Sequence, residues 1–389
     1  MRARSILFTL ASALVLVSCT ATTTTTTTVT SSSSVVTTPP VSPSPTGATL
    51  ADGSPLPGGC AGGARASETV AFVADGRAWA LDPDSGRLAC LFHVAQPGPF
   101  VFGPQGDRVL LGGLQVRGVT PDAPTLPALG VSPTVFDWGH PLGLAIVYAD
   151  HPGQPQKRFM DDGSVEQLSA LPKGSYQAIA YHPSGLALGF IVDEGERQGI
   201  WLSSNEGKDP QRLVFSRPGT VFSSLAFSAD GQTLWWIAQH PDAISEIHDM
   251  DLADRSGFGT VLTRGLDDTA HGLQLAPAGS LKAATTGTEC ASERAMVVDS
   301  KGASPAVPDA NGPTHALGWL DASTLLVAEG GCGLPTTLLT VAWHQHAGQA
   351  TVLVNDVDTG APRTVLQNAP TEVPTPPNEA PPAPPGGVG

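Results

Sequence analysis

The sequence predicts an all-β protein built as a ring of repeated, mostly four-stranded sheets, and three observations predict it. Gly (44) and Pro (36) are abundant among 389 residues while only 14% are charged, a composition of turns and strands rather than of amphipathic helices. Short apolar runs bounded by turn residues recur along the middle of the chain. One composite phrase, apolar-x-apolar, polar turn, apolar run, returns at intervals of roughly 40 residues, and a period of that length marks a repeat architecture. A sheet with two apolar faces must stack on its neighbours, and closing the stack into a ring makes a β-propeller. Counting the phrase gives seven blades, with six or eight as the alternatives.

Residues 1–19, MRARSILFTLASALVLVSC, read as an export signal: Arg2 and Arg4 form the positive start and Ile6 to Val17 the apolar core. The stretch ends Leu16-Val17-Ser18-Cys19, which resembles the lipobox of bacterial lipoproteins. That resemblance implies that Cys19 carries diacylglycerol, becomes the mature N-terminus, and anchors the protein to the cell envelope outside the cytoplasmic membrane. The other reading is a plain cleaved signal with an incidental cysteine. Acyl chains, at about 0.8 kcal/mol per buried methylene, would hold such an anchor, because an acidic surface is repelled by anionic lipid.

Residues 20–64 are rich in Thr, Ser and Pro, including the unbroken run Thr22 to Thr28 and "TTPPVSPSPTG", and predict a disordered tether. Treated as a coil, its reach is on the order of 35 Å. Residues 371–389, ending "PPAPPGGVG", predict a polyproline-like disordered tail. The propeller domain is expected over 65–370.

Within that domain the units follow in order. The first, "TVAFVADGRAWALDPDSGRLACLF" from Thr69, holds three clear strands, and a segment from the far end of the domain is expected to supply the fourth. Copies of the phrase follow as "FVFGPQGDRVLLGG" from Phe100, "VFDWGHPLGLAIVYA" from Val135, "AIAYHPSGLALGFIV" from Ala178 and "LAFSADGQTLWWIA" from Leu225. Weaker ones are "LQLAPAGSLKAAT" from Leu273 and "LGWLDASTLLVAE" from Leu317. The last unit runs on through "TLLTVAWHQ" and "ATVLVNDVDTGAPRTVL" and has a strand to spare. In "SADGQ" the Asp and Gly suit a hairpin turn. The phrase resembles the TolB-like, WD40-like propeller repeat, an apolar strand, a Ser-Pro-Asp-Gly turn and another apolar strand, matched here by "HPSG" from His182, "SADG" from Ser228 and "PAG" from Pro277. The resemblance covers most of residues 65 to 370. It implies a propeller and an envelope location, and it transfers no reaction.

The formal charge of −15 disfavours nucleic acid as a partner. No Gly-x-Ser-x-Gly elbow occurs, which argues against a propeller peptidase. The acidic stretches "DPDSG", "MDDGS" and "NDVDTG" lack a closed calcium ligand set and read as turns. Histidines in Gln239 to Asp251 and in Trp343 to His346 invite a metal, with His344 and His346 on one face if that run is a strand. Their spacing matches no closed site, so neither metal nor cofactor is expected. Adjacent Trp235 and Trp236 should point to opposite faces and wedge against both neighbouring blades.

The loops joining second to third strands, Asp193 to Gln198, Gln239 to Ser245, Thr286 to Glu293 and Glu329 to Thr336, share one face with the blade-to-blade connections. Long loops on a rigid scaffold are where binding sits, which makes Asp193, Glu194, Glu196, Arg197, His240 and Asp242 candidate binding residues; uniform solubilising loops are the plainer reading. Export and an even count of remaining cysteines suggest disulfides. Cys290 and Cys332 fall in equivalent loops of neighbouring blades, and Cys60 and Cys90 flank the first blade, so these pairings need the least distortion; four unpaired thiols are the alternative. The leading functional reading is a monomeric, lipid-anchored, non-catalytic binding or scaffold module for a protein, peptide or glycan. A propeller enzyme, a lyase or glycosidase with its site at the central channel mouth, is the alternative, and a purely structural envelope spacer is a third.

Overall fold

In a computed structural model the described residues are 47–60, 70–94, 101–119, 125–139, 142–150, 153–241, 244–253, 266, 269–277, 280–332, 334–344 and 346–362. The signal, Cys19, most of the tether and the tail lie outside them. Their strands form seven antiparallel sheets, the blades of a seven-bladed β-propeller, numbered in chain order from first strands Val70–Ala74 (blade 1), Val101–Phe102 (2), Val135–Asp137 (3), Ser175–Tyr181 (4), Val221–Phe227 (5), Ala270–Leu275 (6) and Thr314–Trp319 (7). Blade 4 shows the plan: Ser175–Tyr181, Ala187–Asp193, Gln198–Ser204 and Gln211–Phe215 pair in chain order from first strand to outer strand. Blade 5 carries Val221–Phe227, Thr233–Gln239 and Ser245–Asp251, with Leu266 bridging to Ser245 at its outer edge. Blade 7 is the largest: Thr314–Trp319, Thr324–Gly331, Leu334–His344 and Ala347–Val357.

The ring is closed by both ends of the domain. Thr359–Pro362 pairs with Val70–Ala74 as the extra strand of blade 1, where it touches the first strands of blades 7 and 2. This is the borrowed strand that the three-stranded first unit calls for. At the other end Thr49–Leu50 adds to the outer edge of blade 7, with Thr49 opposite Asn355. That pairing corrects the expected tether, which was to run to residue 64. Residues 47–60 belong to the domain: Ala48 is buried, and Leu56 and Cys60 pack against the seam between blades 1 and 7. A two-residue strand within a Gly- and Pro-rich stretch has no periodicity to betray it.

The core lies in the seams, one apolar cluster at each of the seven junctions. Strand alternation explains the division. Val70, Phe72 and Ala74 pack toward blade 7, whereas Ala71 and Val73 pack toward blade 2. Because both faces of a blade are buried, its second strand is buried along almost its whole length, as in Ala187–Asp193, "ALGFIVD", where only Asp193 is partly exposed. Trp236 fills the seam toward blade 4 and Trp235 packs toward blade 6, the opposed wedging expected of adjacent strand residues.

Two disulfides join Cys60 to Cys90 and Cys290 to Cys332, with Cα atoms 4.9 and 5.8 Å apart. The first staples the entering chain to the outer strand of blade 1. The second links the loop faces of blades 6 and 7.

Candidate functional site: a groove between blades 4 and 5

On the face that carries the second-to-third-strand loops, the seam between blades 4 and 5 opens into a groove of about 940 Å³, a volume suited to a ligand or an extended peptide segment. Its wall is built by alternation. Across the second and third strands of blade 5, Trp236 lies opposite His248 and Ala238 opposite Glu246. The ladder runs one step further, since the His240 amide donates to the Ile244 carbonyl at 2.9 Å. Residues 236, 238, 240, 246 and 248 therefore share one face, turned toward blade 4. Blade 4 contributes Val214, Phe215 and Arg197, and the connection between the blades contributes Ser216, Arg217 and Thr220.

Within the groove one carboxylate oxygen, Glu246 Oε2, lies 2.9 Å from His240 Nε2 and 3.1 Å from His248 Nε2. The Thr220 hydroxyl stands 3.3 Å from His240 Nδ1. The His248 ring stacks on Trp236 with centroids 5.5 Å apart and planes 11° from parallel. Burial pushes the His248 imidazole below its ordinary pKa against the pull of Glu246, which favours the neutral ring. Burial opposes ionisation of Glu246 as well, yet hydrogen bonds and charge from His240 and His248 hold its carboxyl below the usual range. Trp236 is fully buried, and its Nε1–H meets no acceptor among the described residues.

The candidate binding residues separate. Arg197 and His240 line the groove. Glu194 turns back onto its own blade, its Oε1 accepting from the Trp201 indole at 2.6 Å and its Oε2 lying 3.4 Å from Arg212. Asp193 caps its own turn by accepting the Gly195 amide at 3.0 Å. Glu196 is exposed, and Asp242 lies outside the described residues. His248 lies in the Gln239 to Asp251 stretch whose histidines invited a metal and were set aside on spacing, whereas the groove residues Glu246, Trp236, Arg217 and Thr220 were not singled out for binding, although the E-x-H spacing on a strand, with His240 just beyond the preceding one, carries the signal.

His344 ends one strand and His346 lies in the following turn, so the two do not share a strand face. His346 bonds Asp299 and Ser304, each at 2.8 Å. "DPDSG" and "MDDGS" are self-capped turns: Asp82 accepts from the Ser85 hydroxyl at 2.6 Å and Asp162 from the Ser164 amide at 2.8 Å. Glu293 sits 3.4 Å from His271 and 3.1 Å from His315 beside Cys290, but the Cys290 sulfur is committed to its disulfide and offers no thiolate.

The strand order defines a seven-bladed β-propeller. Among solved structures the chain is similar to TolB from Acinetobacter baumannii (12% identity, TM-score 0.44, 77% of this chain and 66% of that one). It is similar also to a putative TolB from Agrobacterium tumefaciens (12%, 0.42, 75% and 92%). A third similarity is to a prolyl endopeptidase (12%, 0.51, 75% and 50%), and this one shows the propeller fold alone. The chain thus spans 66% of the Acinetobacter protein and half of the peptidase. No family model and no curated protein matches the sequence.

Proposed function

We propose that the protein is a non-catalytic binding module, held outside the cytoplasmic membrane by a lipid on Cys19, that takes up a segment of a protein, peptide or glycan in the groove between blades 4 and 5. The observation that carries this reading is the composition of the groove. Phe215 offers apolar surface above the buried Phe222 and Trp236, while Arg197, Arg217, His240 and Glu246 offer directional polar contacts, the mixture by which pockets hold a ligand and fix its orientation. Rigid blades present these groups from both sides, so little ordering is required on binding.

The test is site-specific photocrosslinking in cells, with the crosslinker placed at Arg197 or Arg217 and, for comparison, at Leu186, an exposed residue on the opposite turn face. A discrete adduct from the two groove positions only is the expected result. Equal adducts from Leu186 would rule out the groove. Membrane fractionation tests the anchor separately: Cys19→Ala should move the protein to the soluble fraction, and unchanged fractionation would refute lipidation.

A further inference from the structure

We infer that His240, Glu246 and His248 form a binding site for a divalent transition-metal ion of the zinc class, with the ion's remaining coordination position open to the groove. The inference stands apart from the anchoring and partner proposals and needs neither. It departs from the expectation, drawn from linear spacing, that these histidines match no closed site. Linear spacing hides the arrangement because His240 and Glu246 meet diagonally across a hairpin. The pairing of Ala238 with Glu246 and of Trp236 with His248 brings three donors that are scattered in sequence to one point.

The donor set is two imidazole nitrogens and one carboxylate oxygen, which suits borderline divalent ions and leaves a position free, as open zinc sites do. The three donor atoms lie within 4.8 Å of one another. Ligands about 2.0 to 2.2 Å from a tetrahedral ion stand roughly 3.3 Å apart. The observed separations of 2.9 and 3.1 Å thus need to open by only a few tenths of an ångström. The side chains are between 18% and 28% exposed, sheltered enough to be positioned yet reachable from the groove.

The surroundings hold the ligands in place. A ligating histidine ordinarily donates its other ring N–H to an oxygen, which fixes tautomer and orientation. For His240 that oxygen is the Thr220 hydroxyl. His248 is oriented instead by its stack on Trp236. Beyond the ligands, Arg197 and Arg217 line the same groove, so a molecule completing the coordination sphere meets cationic walls, and an anionic donor such as a carboxylate is the favoured occupant. Without an ion the two imidazoles converge on one carboxylate oxygen as plain hydrogen-bond donors, and that is the reading the experiment must separate from ligation.

The full chain, carrying no histidine tag and freed of metal with a chelator, is titrated calorimetrically with Zn²⁺ alone. One tight equivalent per chain is expected, together with a melting temperature raised by zinc. His240→Ala, Glu246→Gln and His248→Ala should each weaken binding beyond the roughly 10- to 100-fold that loss of a merely supporting partner costs, and Thr220→Val should weaken it about 10-fold. His271→Ala and His344→Ala should bind as wild type. X-ray absorption of the zinc-loaded chain should show two imidazoles at the ion. Absence of stoichiometric binding, or unchanged affinity in Glu246→Gln, would overturn the inference. His240 lies just past the strand Thr233–Gln239 and outside the buried cluster of the seam, so His240→Ala decides the matter even where His248→Ala fails to fold.

Discussion

His182 Nε2–H donates to the carbonyl of Gly231 at 2.9 Å, so the turn of one repeat binds the turn of the next. The other ring nitrogen accepts the Ser184 amide at 3.1 Å, which fixes the tautomer. The ring is buried and edge-on to Phe227, with centroids 5.1 Å apart. The "HPSG" and "SADG" phrases therefore do more than reverse the chain: together they join blades 4 and 5 on the face opposite the groove.

Gly231 has φ +72, and a Cβ there would come within 2.5 Å of the His182 ring. Gly231→Ala should cost about 1 to 3 kcal/mol from backbone strain alone, and more once the ring is displaced. His182→Ala leaves the Gly231 carbonyl without its donor and should cost about 1 to 3 kcal/mol. Denaturant midpoints report both, and wild-type midpoints would show that the two turns do not support each other.

Asp137 supplies a pH signature. Its Oδ2 accepts the Tyr181 amide at 2.6 Å and crowds the position a Cβ of Gly139 would take, at 2.8 Å. Desolvation pushes the carboxyl up from 3.8 to about 6, against the amides of Tyr181, Gly139 and Trp138. The folded state then holds the proton more tightly than the unfolded chain. Its contribution to stability is full below pH 3.8 and is lost as pH rises through about 6. Asp137→Asn should flatten that part of the stability profile, and an unchanged slope would remove Asp137 as its source.

The disulfides close loops of 30 and 42 residues, worth about 3.5 to 4 kcal/mol each in the chain-entropy account. Replacing Cys60 and Cys90 together by Ala should lower stability by about that amount and free the entering chain for proteolysis. Non-reducing peptide mapping should link Cys60 with Cys90 and Cys290 with Cys332. Any crossed peptide would contradict the blade arrangement.

Truncation after Asp358 removes the four-residue strand that pairs with Val70–Ala74. Four ladder positions are lost, and the buried Phe72 and Val73 are left on an open edge. The shortened chain should lose its cooperative thermal transition or aggregate. A transition as sharp as that of the full domain would show that the ring does not depend on this strand.

Much of this was legible in the sequence because a blade buried on both faces leaves apolar runs punctuated by turns, and "SADGQ" and "HPSGL" show where the chain reverses. The borrowed strand was legible as a deficit in the first unit and a surplus in the last. Thr49–Leu50 was not, because two residues carry no period. The site was half legible. Arg197 and His240 follow from loop placement, whereas Glu246 and His248 sit inside an ordinary-looking strand whose face is fixed only by its register with Trp236 and Ala238. Glu194 misled because its charge is consumed by Trp201 and Arg212, partners that loop position does not reveal.

The borrowed strand also sets a timetable. A chain that emerges N-terminus first presents Val70–Ala74 early, and the strand that covers that edge, Thr359–Pro362, is the last of the described strands to be made. Contacts this remote in sequence slow folding, and until that strand pairs, one edge of blade 1 stays uncovered. The ring can close, and cover the open edge of its first blade, only once residue 362 has been made.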